Sequence, residues 1–433
     1  MKTYFLKKRN TWVRLLVSLF FSSLILSSFA SPALADEKMM NYALGPVLRV
    51  GLWTNQSNVL ICSDVDFQLI DGDNQRVLKK GKRNIKMSVT MKNGRFSIDS
   101  VPVQTHSIFI KAITTEDKER FIEVNGRNYR GDVELHQTKK NAGITVINIL
   151  PVELYLYGIL PQEISPEWPL EAIKAQAVAA RTYALYNQKK HGEDGFDICS
   201  TSDCQVYGGM DSETSRTNKA VDETNGVTIM YQEKLIPAFF HSSAGGFTEN
   251  SENVWGAYLP YLRGVEDRDQ FSPYYKWERR FAPADLIRDC APYIDKIGRL
   301  KAIELSALTA APVTRNDRGV SGRVKTLRLI GDKGSIQVPG NTIRTLLNLP
   351  STLFDVKMMS AAHLKDKSLE ITHRITGAAG ETVLFMGYGW GHGVGLSQWG
   401  AKSMAEQAPK NDAAYYKEIL RHYYTGVDVR KSY

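Results

Sequence analysis

The chain is 433 residues long, with 43% hydrophobic residues and 55 Lys and Arg against 46 Asp and Glu, a formal charge of +9. Five of those basic residues fall in the first 35 positions, which hold no acids, so the remainder is near +4, too small and too scattered an excess for a nucleic-acid footprint. Four cysteines in a chain of this length also exclude a disulfide scaffold.

Lys2, Lys7, Lys8, Arg9 and Arg14 precede an apolar, serine-interrupted stretch from Leu15 to Phe29, and Ala33-Leu34-Ala35 supplies the small-x-small pattern of a cleavage site. Residues 1–35 therefore read as a signal peptide, with Asp36 as the first mature residue. The alternative, an uncleaved anchor, needs a less broken apolar run of about 20 residues. The expected protein is exported to the cell envelope, the periplasm or the extracellular wall, with no membrane span once the leader is gone. A mildly basic surface would be drawn to an anionic wall.

From about Val47 to Thr145 the pattern is that of strands. LRVGLW, VLICSDVDFQLI, IKMSVTM, RFSIDSV, HSIFIKAI and RFIEVNG are parted by turn signals such as Asp71-Gly72-Asp73 and Lys92-Asn93-Gly94. Residues 36–140 thus form a β-rich N-terminal module that gathers no chemistry, a supporting or wall-facing sheet. The strand ITVINIL (144–150) is expected to lead into a short turn or helix at 151–159 and then a loop from Leu160 to Ser165. A long helix follows, with Pro169 in its first turn, where the missing N–H costs nothing. It runs to about Lys190 and stops at His191-Gly192. Nearly all of it is apolar or small, which marks a buried helix with one polar edge at Lys174, Arg181 and Gln188. Beyond it, SRTNKAVDET reads as a short helix and GVTIMYQEKLIPAFFHS as an alternating strand pair. Residues 266–380 form an α/β subregion, Gly387–Gly400 a glycine-rich loop, and YYKEILRHYYTGV a closing helix. The irregular mixture is an α+β fold, with the chemistry expected in residues 141–433.

Several strings carry a resemblance. They are LYLYGILPQEISPEWPLEAIKAQAVAARTYAL, CQVYGG, FFHSSAGGFTENSENVWGAYLPYLRGVED, GRVKTLRLIG, RTLLNLPSTLFDV and GYGWGHGVGLSQWGAKSMAEQ, closed by YYKEILRHYYTGVDV. In this order, across roughly residues 130–433, they resemble the stage II sporulation protein D family, also described as amidase-enhancer or LytB-like proteins. The resemblance implies an envelope protein acting on peptidoglycan glycan strands. The best-understood relatives are lytic transglycosylases that degrade strands already stripped of stem peptides. Others are named as enhancers of a wall amidase, which implies a non-catalytic alternative with an N-acetylmuramoyl-L-alanine amidase as partner. The family's catalytic acid falls on Glu163, in PQEIS.

Cutting a glycosidic bond needs a carboxylic acid whose pKa is raised. Ile159, Leu160, Pro161, Ile164 and Trp168 are neighbours able to desolvate Glu163. The bland reading is that Glu163 decorates the approach to the helix; Glu167 lies close by, and Glu171 is a natural first-turn dipole partner. Arg181, inside VAARTYAL, has two readings: a structural ion pair, or a planar fork for an anionic group such as the lactyl carboxylate of muramic acid. Cys199 and Cys204 form a close pair, read as a disulfide in preference to zinc. Zinc would require His191 as a third ligand, and some relatives have histidine where Asp203 stands here. The resemblance requires no cofactor, and zinc is the one that this pair leaves open. Either form would brace the loop carrying Gln205 and Tyr207, which are expected to meet substrate. His241, Ser242 and Ser243 read as a loop offering imidazole and hydroxyls to sugar. Trp390 and His392, among the alternating glycines of GYGWGHGVG, offer a stacking face and a polar tip. Tyr275 and Gln398 complete the expected substrate contacts.

Overall fold

Alternation in the sequence becomes alternation in burial. In β5 (Met87–Lys92) Met87, Val89 and Met91 point inward while Ser88 and Thr90 are only half-buried. The computed structural model describes residues 45–113, 120–138, 142–359, 372–377, 380–410 and 412–433; the signal-peptide reading lies outside them. Residues 47–151 supply β1 (Val47–Gln56), β2 (Asn58–Ser63), β3 (Phe67–Asp71), β4 (Val77–Gly81), β5, β6 (Arg95–Ile98) and β7 (Val101–Val103). They continue with β8 (Ser107–Ala112), β9 (Ile122–Val124), β10 (Arg127–Tyr129), β11 (Asp132–Gln137) and β12 (Ile144–Pro151). With β13 (Ile198–Cys199), these strands make a seven-stranded sheet, in the order β13-β1-β12-β11-β8-β3-β4, and a six-stranded sheet, β10-β9-β2-β5-β6-β7. The eight-residue β12 is buried almost throughout because it lies in the middle of the larger sheet, antiparallel to β1 on one side and β11 on the other.

Two helices follow. α1 (Val152–Glu163) turns Val152, Tyr155, Leu156, Ile159 and Leu160 inward. α2 (Leu170–Tyr186) starts directly after Pro169 and is buried on nearly every side, from Ala172 to Ala184. One core joins Val59 and Ile61 of β2, Val50 and Val146 of the larger sheet, Leu156 of α1 and Val178 of α2. Each such side chain contributes about 1.5–3 kcal/mol on removal from water. The sequence placed a loop at 160–165, but α1 runs on through Pro161 to Glu163. Proline lacks one N–H, yet the buried residues of the preceding turns hold the last turn in place. α2 stops at Tyr186, four residues before the expected end.

Later in the chain come α3 (Ser215–Glu223), β14 (Val227–Tyr231), β15 (Lys234–Leu235) and β16 (Phe240–His241). A second core, with Trp277, Leu327, Leu329, Phe354 and Phe385 in it, lies among the strands between residues 276 and 388. The chain closes with α4 (Gln398–Glu406) and α5 (Tyr416–Tyr423), whose buried faces return to the first core. The fold is mixed α+β, in several sheets. No described helix is long and apolar enough to cross a membrane.

Candidate active site

Glu163 is the last residue of α1: Ile164 is extended and gives its N–H to the carbonyl of Leu160. The carboxyl is half-buried at a helix C-terminus, where the exposed carbonyls carry partial negative charge. Burial pushes its pKa up, and hydrogen bonds from the backbone N–H of Val206 and the side chain of Gln398 offset only part of that rise. Both donors are neutral amides, so they orient the carboxyl without supplying a countercharge. Gln398 opens α4, and the next residue, Trp399, packs edge-on against Trp168 with ring centroids 4.8 Å apart. Glu163 thus lies where the end of α1, the start of α4 and the loop after β13 meet.

That loop contributes differently from what its sequence suggested. Gln205 and Tyr207 are buried: the Tyr155 hydroxyl donates to Gln205 Oε1 at 3.3 Å, and the Tyr207 hydroxyl donates to Asn148 Oδ1 at 2.9 Å. Both residues face the scaffold, and the exposed residue between them, Val206, turns its N–H to Glu163. A backbone donor leaves no trace in residue type, which is why the sequence pointed to its two neighbours.

Arg181 is corrected in the same way. It is fully buried and forms a forked pair with Glu153, Nε to Oε1 at 2.8 Å and Nη2 to Oε2 at 2.7 Å. Its remaining donors go to the carbonyls of Val221 and Val227 and to the Thr224 hydroxyl, and Tyr433 also donates to Glu153. The guanidinium ties α1, α2 and α3 together and has no face left for a substrate.

The other expected contacts divide between core and surface. β16 runs parallel to Leu396–Ser397, with His241 opposite Ser397, and the Trp399 N–H donates to the Ser242 carbonyl. The chain from 240 to 246 is thereby joined to the residue that holds Glu163. His241 is buried, its Nδ1 3.2 Å from the Val394 carbonyl, and Ser243 donates to Asp269. His392 packs 5.4 Å from His241, and burial together with the Arg323 charge pushes its pKa down to about 3. Burial lowers the pKa of His241 as well, so both imidazoles resist protonation; His241 lies in the core with Nε2 unpartnered among the described residues, whereas His392 is half-buried. Of the three residues in HSS, only half-buried Ser242 remains near the surface. Trp390 is 44% exposed and stacks beside exposed Tyr274 at 5.2 Å. Tyr275 lines, with Tyr388, Gly245, Gly246 and Pro312, a cavity of about 680 Å³ that does not include Glu163.

The sequence reading passed over Asp267 and Asp269. Asp269 is buried and takes hydrogen bonds from Ser243 and from the N–H groups of Gly245 and Gly246. Asp267 Oδ1 accepts from the Tyr423 hydroxyl at 2.7 Å, its Oδ2 is buried with no hydrogen-bond partner among the described residues, and the hydroxyl of Ser397, the N-cap of α4, lies beside it and holds its pKa down in part. Burial and the charge of Asp269 push its pKa up to about 7. The signal was present in YLRGVEDRD, where three acids fall within four residues shortly after the apolar run AYLPYL.

Cys199 and Cys204 are close, as expected, but they are free thiols and not a disulfide. The reason is visible in what surrounds them: His191, Cys199, Asp203 and Cys204 place one donor atom each within 4.8 Å of one another. His191 Nε2 is 3.4 Å from Cys204 Sγ and 3.3 Å from Asp203 Oδ2, while Asp203 Oδ2 is 3.9 Å from Cys199 Sγ. Tetrahedral zinc with nitrogen, oxygen and sulfur ligands needs donor separations of about 3.4–3.8 Å. The donor types are those zinc takes, and Asp203, the departure noted in the sequence, is one of them; a cation already sits beside them, Lys190 Nζ being 2.9 Å from Asp203 Oδ2 and 3.7 Å from Cys204 Sγ, so zinc would take the place of the lysine.

Comparison with known proteins follows this geometry. A family model described as stage II sporulation protein matches residues 140–231, and one for a domain of unknown function, DUF8618, matches residues 249–395. The chain is 34% identical to an uncharacterized protein of Brachyspira hyodysenteriae, over 74% of this chain and 77% of that one. It is 30% identical to the stage II sporulation protein D of Bacillus amyloliquefaciens, over 65% of this chain and 75% of the relative. To the amidase enhancer of Bacillus subtilis it is 29% identical over 83% of its own length, spanning half of that longer protein.

Proposed function

The chain belongs to the stage II sporulation protein D family, and from that premise we propose that it is a lytic transglycosylase of bacterial peptidoglycan, working in the cell envelope on glycan strands freed of stem peptides. The observation that carries this reading is Glu163, a half-buried carboxyl whose pKa is raised by burial and which faces the uncharged amides of Val206 and Gln398. Such a group holds its proton to higher pH than an ordinary carboxyl and can give it up to a leaving oxygen. In the proposed reaction Glu163 protonates the oxygen that links the muramic acid C1 to the next sugar, and the C1–O bond breaks. The ionised carboxylate then takes the proton of the muramic acid C6 hydroxyl as that oxygen bonds to C1. A 1,6-anhydro ring forms, no water is consumed, and Glu163 returns protonated. One carboxylate therefore serves where ordinary glycosidases use two. Ser242 and the exposed rings of Trp390 and Tyr274 are the proposed sugar contacts.

Mass spectrometry of glycan digested by the purified protein tests this directly. Anhydro-muramic ends from the wild type and none from Glu163→Gln are expected. The amidase enhancer among the relatives supports a second reading, binding of the wall and stimulation of an amidase. That reading predicts no anhydro ends and equal stimulation by the wild type and Glu163→Gln.

We also propose that His191, Cys199, Asp203 and Cys204 hold zinc. Four protein ligands leave no open position, so the ion would brace the loop bearing Val206 rather than act on sugar. Metal analysis with thiol titration checks it: one zinc per chain, lost in Cys199→Ser, is expected, and a metal-free protein would overturn it.

A further inference from the structure

The positive charge that looked scattered over the whole sequence is concentrated in one segment. Residues 76–95 contain eight Lys and Arg and no Asp or Glu. Of the chain's 55 cations, five more lie in the leader; the remaining 42 are outnumbered by the 46 acids. One twenty-residue segment therefore makes an otherwise slightly acidic protein basic.

The fold displays this segment on β4, β5, β6 and their turns. Three of its cations are neutralised: Lys79 by Asp99 at 2.7 Å, Lys82 by Asp66 at 2.8 Å and Lys86 by Glu123 at 3.6 Å. Arg76, Lys80, Arg83, Lys92 and Arg95 are exposed and have no ion pair among the described residues. Arg76, Lys80 and Arg83 stand on and beside β4, Lys92 and Arg95 on β5 and β6 of the six-stranded sheet, and one carboxylate links the two sets of strands. Asp99 bonds both Lys79 of β4 and the backbone of Ser88 in β5, and Lys92 and Arg95 stand opposite each other across the β5–β6 hairpin. β4 is one edge of the seven-stranded sheet and β13 is the other; β13 leads into the loop whose Val206 N–H holds Glu163. Six strand spacings of about 4.8 Å put roughly 29 Å between the two edges.

We propose that this basic edge binds a phosphodiester-linked wall polymer, a linear polyanion, and so tethers the protein at one end of the sheet while the opposite end faces glycan. The inference rests on the proposed function only in assuming that the two polymers occur in the same wall. Exposed ammonium and guanidinium groups meet successive phosphates, and the counterions released make such binding fall steeply with salt. A membrane surface fits less well: the large apolar residues exposed between 76 and 103 are Val77, Ile85 and Val101, with no aromatic ring among them, whereas interfacial membrane binding favours Trp and Phe.

Co-sedimentation with purified walls carrying the phosphodiester polymer, and with the same walls stripped by hydrofluoric acid, tests the proposal. The wild type is expected to bind intact walls at least tenfold more tightly than stripped ones, with the difference vanishing at high salt. A variant with Lys80→Glu, Arg83→Glu, Lys92→Glu and Arg95→Glu should lose the difference, as should the milder all-Gln version, with melting temperature and turnover of soluble glycan unchanged. Equal binding to intact and stripped walls, retention by either variant, or tighter binding to phosphatidylglycerol vesicles than to walls would overturn it. If the wild type fails to cut soluble glycan, the enzymatic reading falls while the wall comparison still decides this one.

Discussion

Glu163 holds its proton more tightly than an ordinary carboxyl because the end of α1 and the loop at Val206 take water away from it without offering a positive charge. For a carboxyl whose folded pKa lies above its unfolded one, folding binds the proton more tightly. Stability is then greatest below the unfolded pKa and is lost as pH rises through the raised value. Glu163→Gln removes that penalty, so its melting temperature at pH 8 should equal or exceed the wild type's while glycan cleavage is lost. A lower melting temperature would mean that the carboxylate itself holds the fold. Arg181 behaves oppositely. Arg181→Ala leaves Glu153 as an unpaired buried charge and should cost about 3–5 kcal/mol in urea unfolding. Replacing both partners with Met should recover most of that loss, an outcome that a substrate-binding arginine would not give. The identity of Glu163 was legible through its apolar neighbours and its place in the resemblance. The partner of Arg181 was not, because Glu153 is 28 positions away on another helix and nothing in either helix's periodicity pairs them. His241 and Ser243 misled for a related reason: a polar side chain in a loop looks available until its burial is known.

At the level of elements, alternation marked most of the strands, since a period of two survives wherever one face is buried. The carry-through of α1 past Pro161 was not visible, because the buried residues of the preceding turns that hold its last turn pack in a core built from distant segments. Asp267 shows how such contacts reach the site. It bonds Tyr423 of α5, sits beside Ser397, the cap of α4, and lies so close to Gly400 that an added Cβ there would meet its carboxyl at 1.8 Å. The first turn of α4, and with it Gln398, depends on this carboxyl. Asp269 is the charged group that acts on Asp267. With its pKa raised to about 7 from an ordinary 3.8, Asp267 makes the wild type lose stability as pH rises between those values. Asp267→Asn mimics the protonated form, so its melting temperature should be nearly flat between pH 5 and 8 where the wild type's declines. Parallel curves would show that Asp267 does not titrate in this range.

The molecule as a whole has two cores, and they should not fail together. Phe385 is fully buried in the second core between Phe281 and Phe354, with ring centroids 5.5 Å from each. Phe385→Ala is expected to cost about 3–5 kcal/mol. Hydrogen exchange should then quicken first in peptides from 276–388 while β1 and β12 stay protected; uniform acceleration would mean a single cooperative unit. The seven-stranded sheet has a different consequence. Its hydrogen-bonded strands do not stretch, so a protein held by β4 would carry the loop beside Glu163 at a fixed radius, like a compass arm around its pin. Digestion of an intact wall at low salt should then be patchy, with cuts clustered around each attachment point. Raising the ionic strength should turn the same number of cuts into an even scatter, a change in pattern rather than in rate.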